Sequence, residues 1–206
     1  MNLKHNILKT YWKLKLPFSE EEILRGVNDV DLWLCSPGGA GSNMVKNYLH
    51  RFMRVKSPYM AGLLTHHSEP VACDKENFKA IYLHRHPIKG LKSMKRRELI
   101  KTNIRKLNNS KKLAVTEKIL MESIFRQFTN WTTKTVNYPI LCVKYESLFE
   151  NRNRIGEFLN LDMEDFPDKN FSTYKGSTNS ELYKSFEKEI EEWEAFPDVV
   201  LREANS

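Results

Sequence analysis

A short apolar run followed at once by three closely spaced glycines constrains the fold of this chain more than any other feature. Residues 32–35 read Leu-Trp-Leu-Cys, and residues 36–43 read Ser-Pro-Gly-Gly-Ala-Gly-Ser-Asn. The run is typical of a buried strand, the glycines favour a turn, and Ser42 opens a helix predicted to reach about Arg54. Such a strand–turn–helix unit presents backbone N–H groups to a phosphate-like anion.

A second segment carries an arginine and a serine that suit the same kind of ligand. The pattern predicts a strand over Lys79–His84, and Pro87 suits the first turn of the helix after it. Arg85 follows the strand directly, and Ser93 comes eight residues later. Arginine binds a phosphate through two parallel N–H donors and stays charged. Together the two segments predict a site for a nucleotide with anionic groups at both ends.

The remaining pattern alternates strands with helices. Further strands are predicted at Leu63–His66 and Pro139–Lys144, and helices at Thr116–Val136, from about residue 155 to 159, and at Leu182–Phe196. This alternation indicates α/β architecture, a three-layer α/β/α sandwich with a mainly parallel central sheet. The 206 residues are interpreted as one domain, with a lead-in at 1–28, a nucleotide-binding core at 29–176 and a C-terminal helix at 177–206.

Composition excludes some classes of protein and leaves others open. A hydrophobic content of 40% argues against disorder, and no apolar run approaches the roughly 20 residues that span a bilayer. The net charge of +7, concentrated in residues 89–112, suits a nucleotide, a nucleic acid or an acidic glycan, although no nucleic-acid-binding motif supports the second. Three cysteines and no secretory signal favour reduced, structural thiols in a cytoplasmic protein.

Four motifs, taken in order, resemble those of the sulfotransferases. Residues 81–93, with Arg85, Pro87 and Ser93, resemble the family's 3′-phosphate-binding signature. Residues 143–148, Val-Lys-Tyr-Glu-Ser-Leu, are similar to its Tyr-Glu-Asp-Leu segment, and residues 174–177, Tyr-Lys-Gly-Ser, to its late Arg-Lys-Gly loop. The glycine-rich turn stands where the family has its 5′-phosphosulfate loop. The resemblance runs from about Asp31 to Gly176.

The resemblance implies a P-loop-like fold and transfer of a sulfuryl group from 3′-phosphoadenosine 5′-phosphosulfate (PAPS) to a hydroxyl or amine acceptor, a glycan or a small molecule, without a metal. It implies no nucleic-acid partner, and the oligomeric state stays open. By resemblance the donor-binding residues are Gly38, Gly39, Ala40, Gly41, Ser42, Asn43, Arg85, Ser93, Tyr145, Lys175 and Gly176.

Two adjacent histidines are the candidates for the catalytic base. Residues 63–67, Leu-Leu-Thr-His-His, resemble the family's Lys-Thr-His-Leu-Pro segment, in which the histidine takes the acceptor proton. His66 matches that position and is preferred, with His67 as the alternative. His84 and His86 flank Arg85 and are interpreted as structural or rim residues.

The glycine-rich turn departs from the family at one position. The family carries a lysine or arginine that neutralises the leaving group, and the alignment puts Gly39 there. Three accounts stay open: extra backbone N–H groups replace the lysine, a basic residue such as Lys46 or Lys175 reaches in, or catalysis is weak or lost. The alternative functions are therefore a catalytically weak or inactive protein of the same fold that binds PAPS or 3′-phosphoadenosine 5′-phosphate and, more distantly, a small P-loop nucleotide kinase.

Overall fold

A four-stranded sheet forms the centre of the molecule in the computed structural model, which describes residues 15–57, 60, 62–167 and 180–205. The strands are β1 (Leu32–Cys35), β2 (Lys79–His84), β3 (Ile140–Lys144) and β4 (Val199–Arg202), in that spatial order. β1, β2 and β3 run parallel, whereas β4 pairs antiparallel with β3. The carboxyl ends of the three parallel strands therefore share one edge of the sheet.

Helices connect and flank these strands. They are α1 (Glu20–Asn28), α2 (Ser42–Leu49), α3 (Pro87–Arg96), α4 (Ile100–Leu107), α5 (Glu117–Thr133), α6 (Arg152–Leu159), α7 (Ser180–Lys184) and α8 (Glu187–Ala195). Short 3₁₀ helices span Leu64–His66 and Tyr145–Ser147. None of the helices in the described ranges is long and apolar enough to cross a membrane.

The two faces of the sheet bury separate apolar clusters. Because side chains alternate along a strand, Trp33 and Tyr82 face α1 and α5, whereas Leu34 and Ile81 face α2 and α6. A third cluster joins α3, α4 and α5 beside the sheet. This arrangement confirms the predicted three-layer α/β fold with a mainly parallel sheet.

The predicted strand at Leu63–His66 is wrong. Leu64–His66 forms a 3₁₀ helix, in which the His66 N–H donates to the Leu63 carbonyl, 2.8 Å away. The segment still contacts β1, because the Ser36 N–H donates to the Thr65 carbonyl at 2.8 Å. Two consecutive buried leucines are compatible with a short helix and with a strand, so the hydrophobic pattern could not distinguish the two structures.

The C-terminal region contains more than the single helix predicted for it. The helix expected at Leu182–Phe196 is divided into α7 and α8, and β4 follows after Pro197. β4 adds an antiparallel edge strand beside β3, with its register fixed by Val143 opposite Val199. Three apolar residues were too short a run to predict a strand.

Candidate functional site

The glycine-rich turn between β1 and α2 adopts a backbone that only glycine accepts readily. The φ angles of Gly38, Gly39 and Gly41 are 100°, 73° and 70°, in the left-handed region that a Cβ disfavours. A Cβ at Gly41 would also overlap the ring of Tyr145, which lies directly against the turn. The predicted turn and the predicted Tyr145 segment are therefore in contact.

Gly39, where the family carries its basic residue, packs closely against α3. A Cβ at this position would lie 3.2 Å from the Gly90 carbonyl oxygen and 3.6 Å from the Ser93 Cβ. Ser93 is half-buried behind the turn, and Ala40 is fully buried. The backbone of the turn thus lies against α3 with little room for a side chain at residue 39.

Arg85 ties the turn to the end of β2. Its Nη1 donates to the Gly39 carbonyl at 2.9 Å, and its guanidinium stacks over the Tyr145 ring at 4.9 Å. Its Nε lies 3.6 Å from the Glu146 carboxylate, whose two oxygens are buried and have no hydrogen-bond partner among the described residues. The Arg85 side chain is 20% exposed.

His66 is fixed against the start of the same turn. Its Nδ1 lies 2.7 Å from the Ser36 carbonyl oxygen. Burial, and secondarily the charge of Lys106, lowers the pKa of His66 to about 3, so the ring is neutral at physiological pH. Since a carbonyl only accepts, Nδ1 carries the proton and Nε2 is the basic nitrogen.

His67 points away from the turn. Its Nδ1 contacts the Glu69 carbonyl at 2.7 Å, and its ring packs near Trp33 in the core. Its own carbonyl accepts from Gln127 at 2.7 Å and from Trp131 at 3.1 Å. These contacts give His67 a position in the core that holds the neighbouring segment against α5.

The two histidines around Arg85 are placed differently. His84 is 1% exposed among aromatic rings, including Phe128 and Trp193, and in the part of the chain that the structure describes neither ring nitrogen has a hydrogen-bond partner. His86 is half-buried, and its Nε2 lies 3.4 Å from the Glu194 carboxylate.

Lys46 is not the helix-surface residue that its position in α2 suggested. The residue is only 9% exposed, and its Nζ donates to the Thr65 hydroxyl at 3.3 Å. Burial, and secondarily the nearby charge of Lys56, lowers the pKa of Lys46 to about 8. The sequence could not show that Lys46 is buried, because the 3₁₀ helix packed beside α2 determines which face of α2 is covered.

An open cavity of about 670 Å³ lies over the turn, in the size range of ligand sites. It brings together predicted residues from the turn with His66 and Tyr145, whereas Arg85 and Ser93 lie behind the turn and outside the lining. The lining residues are Gly38, Gly39, Gly41, Ser42, Asn43, Met44, Asn47, Tyr48, Arg51, His66, Arg97, Leu99, Asn103, Tyr145 and Pro167. The predicted Lys175 and Gly176 lie outside the described residues.

Sequence reasoning missed several of these lining residues. Asn47 and Arg51 continue the face of α2 that Asn43 begins, so helical spacing was a signal for them. Arg97 lies one helical turn after Ser93, and its Nε donates to the Ser93 carbonyl at 3.1 Å. Asn103 of α4 had no such signal; it contacts Gly38 because α4 folds back over the turn.

Comparison with protein families identifies this arrangement. A family model described as "Sulfotransferase domain" matches residues 3–196. Neither curated proteins nor solved structures gave a significant match. The matched range covers all the predicted site residues, including the two outside the described ranges.

Proposed function

Because the chain belongs to the sulfotransferase family, we propose that it transfers a sulfuryl group from PAPS to a hydroxyl or amine acceptor. The observation that carries the proposal is the hydrogen bond from Arg85 to Gly39, at 2.9 Å. This bond holds two elements together at one edge of the sheet: the turn, which suits one phosphate, and the arginine, which suits another. A nucleotide with anions at both ends requires this proximity.

The donor would lie across the turn with its two anionic ends held by different groups. Backbone N–H groups of the turn and the first turn of α2, with the Ser42 hydroxyl, suit the 5′-phosphosulfate. The remaining donors of Arg85, with Ser93, suit the 3′-phosphate, and the Tyr145 ring suits the adenine. Lys175 and Gly176 complete the proposed donor site from the late loop.

His66 is the proposed base, and its geometry supports that role more than the geometry of His67 does. His66 lines the cavity and has an unprotonated Nε2, whereas His67 packs in the core. Nε2 would accept the acceptor's proton as the acceptor oxygen or nitrogen bonds to sulfur. The bond from sulfur to the 5′-phosphate oxygen breaks, and 3′-phosphoadenosine 5′-phosphate (PAP) leaves with that electron pair.

A second candidate function is PAPS binding with little catalysis. The packing of Gly39 against α3 favours it, because no basic side chain is present at that position. Loss of one preorganised donor costs about 10²–10³ in rate, so activity would persist at a low level if nothing replaced it. The kinase alternative lost its support when the family was identified.

Surface charge bears on the acceptor, and the state of the cysteines bears on the compartment. Residues 86–112 carry ten lysines and arginines against one acid, and Arg97 extends this charge into the cavity lining. This supports an acceptor with anionic groups, such as an acidic glycan. The three cysteines are buried and free, which supports a reducing compartment, and we propose the cytoplasm.

Binding of PAP to an Arg85→Ala variant tests donor recognition. Loss of the charge-assisted bonds to the 3′-phosphate should weaken PAP by about 10–100-fold and AMP, which lacks that phosphate, much less. Isothermal titration measures both ligands, and Arg154→Ala, at an exposed position of α6, is the control. Equal losses for PAP and AMP would refute the assignment of Arg85. Tighter binding of ATP with Mg²⁺ than of PAP would refute the proposed donor.

Turnover by a His66→Ala variant tests the base. Release of PAP from PAPS with a panel of phenol, amine and sugar acceptors should fall by about 10²–10⁴, the usual contribution of a positioned base. PAP affinity should remain, and His50→Ala, at an exposed position after α2, is the control. An unchanged rate would remove His66 from the mechanism.

A further inference from the structure

A buried ammonium without a neighbouring carboxylate lies beneath the candidate donor site. Lys46 is 9% exposed, and its hydrogen bond is to the Thr65 hydroxyl, at 3.3 Å. Within the described part of the chain, no carboxylate lies within 4.0 Å of its Nζ. Burial of a charge of this kind destabilises the folded protein unless another group or a bound ligand stabilises the charge.

The helix geometry directs this charge towards the glycine-rich turn. Lys46 and Ser42 are four residues apart in α2 and therefore share a face. Side chains on a helix lean towards its N-terminus, so the Lys46 side chain runs back towards Ser42, which lines the cavity. The ammonium is thus directed towards the side of the cavity where the turn meets α2.

Thr65 fixes the ammonium beside the other elements of the site. The Thr65 carbonyl accepts from the Ser36 N–H at 2.8 Å, and Ser36 in turn holds His66. The charge of Lys46 also contributes to the lowered pKa of His66. One hydroxyl therefore places the Lys46 charge beside the start of the turn and beside the candidate base.

We infer that Lys46 supplies, from beneath the turn, the positive charge that Gly39 does not supply at the 5′-phosphate end of the donor site. This inference rests on the proposed function. Residue 39 is closed to a long side chain by the Gly90 carbonyl, 3.2 Å from where its Cβ would lie. The two cations that line the cavity in the described part of the chain are less suited. Arg51 stacks on exposed Phe52 beyond the end of α2, and Arg97 is exposed at the end of α3.

Lys46 is a positioning residue in this scheme, because it acts on the anion through the floor of the cavity. Before transfer, the 5′-phosphate of the donor is linked to the sulfuryl group and carries one negative charge. After transfer it carries two. The Lys46 ammonium therefore stabilises the product phosphate at the turn more than it stabilises the phosphate of the intact donor. Such a preference stabilises the charge that develops when the bond to sulfur breaks. Apolar surroundings strengthen the interaction, because water screens it less.

A comparison of two nucleotides tests the inference without requiring turnover. PAP and adenosine 3′-phosphate share the 3′-phosphate and the base, but only PAP carries the 5′-phosphate. Lys46→Met should weaken PAP by about tenfold or more and leave adenosine 3′-phosphate unchanged, as measured by isothermal titration. Lys46→Arg, which keeps the charge, should retain most of the affinity for PAP. Lys118→Met, at an exposed position of α5, is the control.

Thermal unfolding separates this role from a structural one. Replacing a buried, unpaired lysine by methionine should leave the melting temperature unchanged or raise it, whereas a structural lysine would lower it. Lys46→Gln provides a second neutral variant if Lys46→Met folds poorly. Equal effects on both nucleotides, or no effect on PAP, would overturn the inference while the proposed function stands. If the unaltered protein binds neither nucleotide, the proposed function itself fails.

Discussion

At the scale of single residues, Gly39 explains why the turn lacks the family's basic side chain. The φ angle of 73° and the Gly90 carbonyl at 3.2 Å from an added Cβ exclude ordinary side chains without rearrangement. The absence of the lysine therefore goes together with the left-handed backbone of the turn and with the close packing of Gly90. Restoring the lysine would also require a different turn.

Gly39→Lys should consequently destabilise the protein without restoring a charge to the cavity. A left-handed backbone costs a non-glycine residue about 1–3 kcal/mol, and the free energy of unfolding in urea should fall by that amount. Gly90→Ala is the matched control, because its added Cβ would have 3.8 Å to the Gly38 carbonyl and α3 favours alanine. A Gly39→Lys protein as stable as the original would show that position 39 is open.

At the scale of elements, the sequence predicted best what depends on short-range pattern. β1, β2 and β3 and the turn after β1 followed from apolar runs bounded by glycine and proline. Ser19 and Glu22, three residues apart in the sequence, form a capping box before α1: the Ser19 hydroxyl accepts from the Glu22 N–H, and Glu22 reaches back. These features depend on neighbours in sequence, so a single sequence contains them.

The elements that the sequence did not predict depend on partners far along the chain. The carbonyl of His67, directly after the 64–66 helix, accepts from Gln127 and Trp131 of α5, about sixty residues away. β4 forms because the exposed edge of β3 was available to pair with it. The burial of Lys46 depends on Thr65, nineteen residues on. The hydrophobic pattern of a short stretch of sequence contains no information about such long-range pairings.

The candidate site shows the same division. The turn, Arg85 and Tyr145 were predicted from motifs, and the structure brings them into contact. Which histidine faces the cavity was left open, because residues 66 and 67 are adjacent and only the packing of α5 separates them. Asn103 reaches the turn from a helix that no motif connected with it.

At the scale of the whole molecule, two buried neutral histidines couple folding to pH. Burial lowers the pKa of His66 and of His84 to about 3. In the unfolded chain these rings titrate at their ordinary value of about 6.5. Between about pH 3 and 6.5 the unfolded state therefore binds more protons than the folded state. Stability from this source is present in full above about pH 6.5 and falls as the pH drops through that window.

His84→Phe should reduce this pH dependence while preserving the aromatic packing around the ring. Inside this pH window each such histidine changes the free energy of unfolding by about 1.4 kcal/mol per pH unit. The variant should therefore lose the contribution of one histidine to that slope. Its stability relative to the unaltered protein should rise steadily as the pH falls from about 6.5, since the variant lacks a ring that the unfolded chain protonates and the folded protein keeps neutral. Urea unfolding across a pH series measures the slope, with His50→Gln, an exposed histidine, as the control. Identical slopes for His84→Phe and the unaltered protein would mean that His84 is protonated in the folded state, where its aromatic surroundings offer no acceptor for the charge.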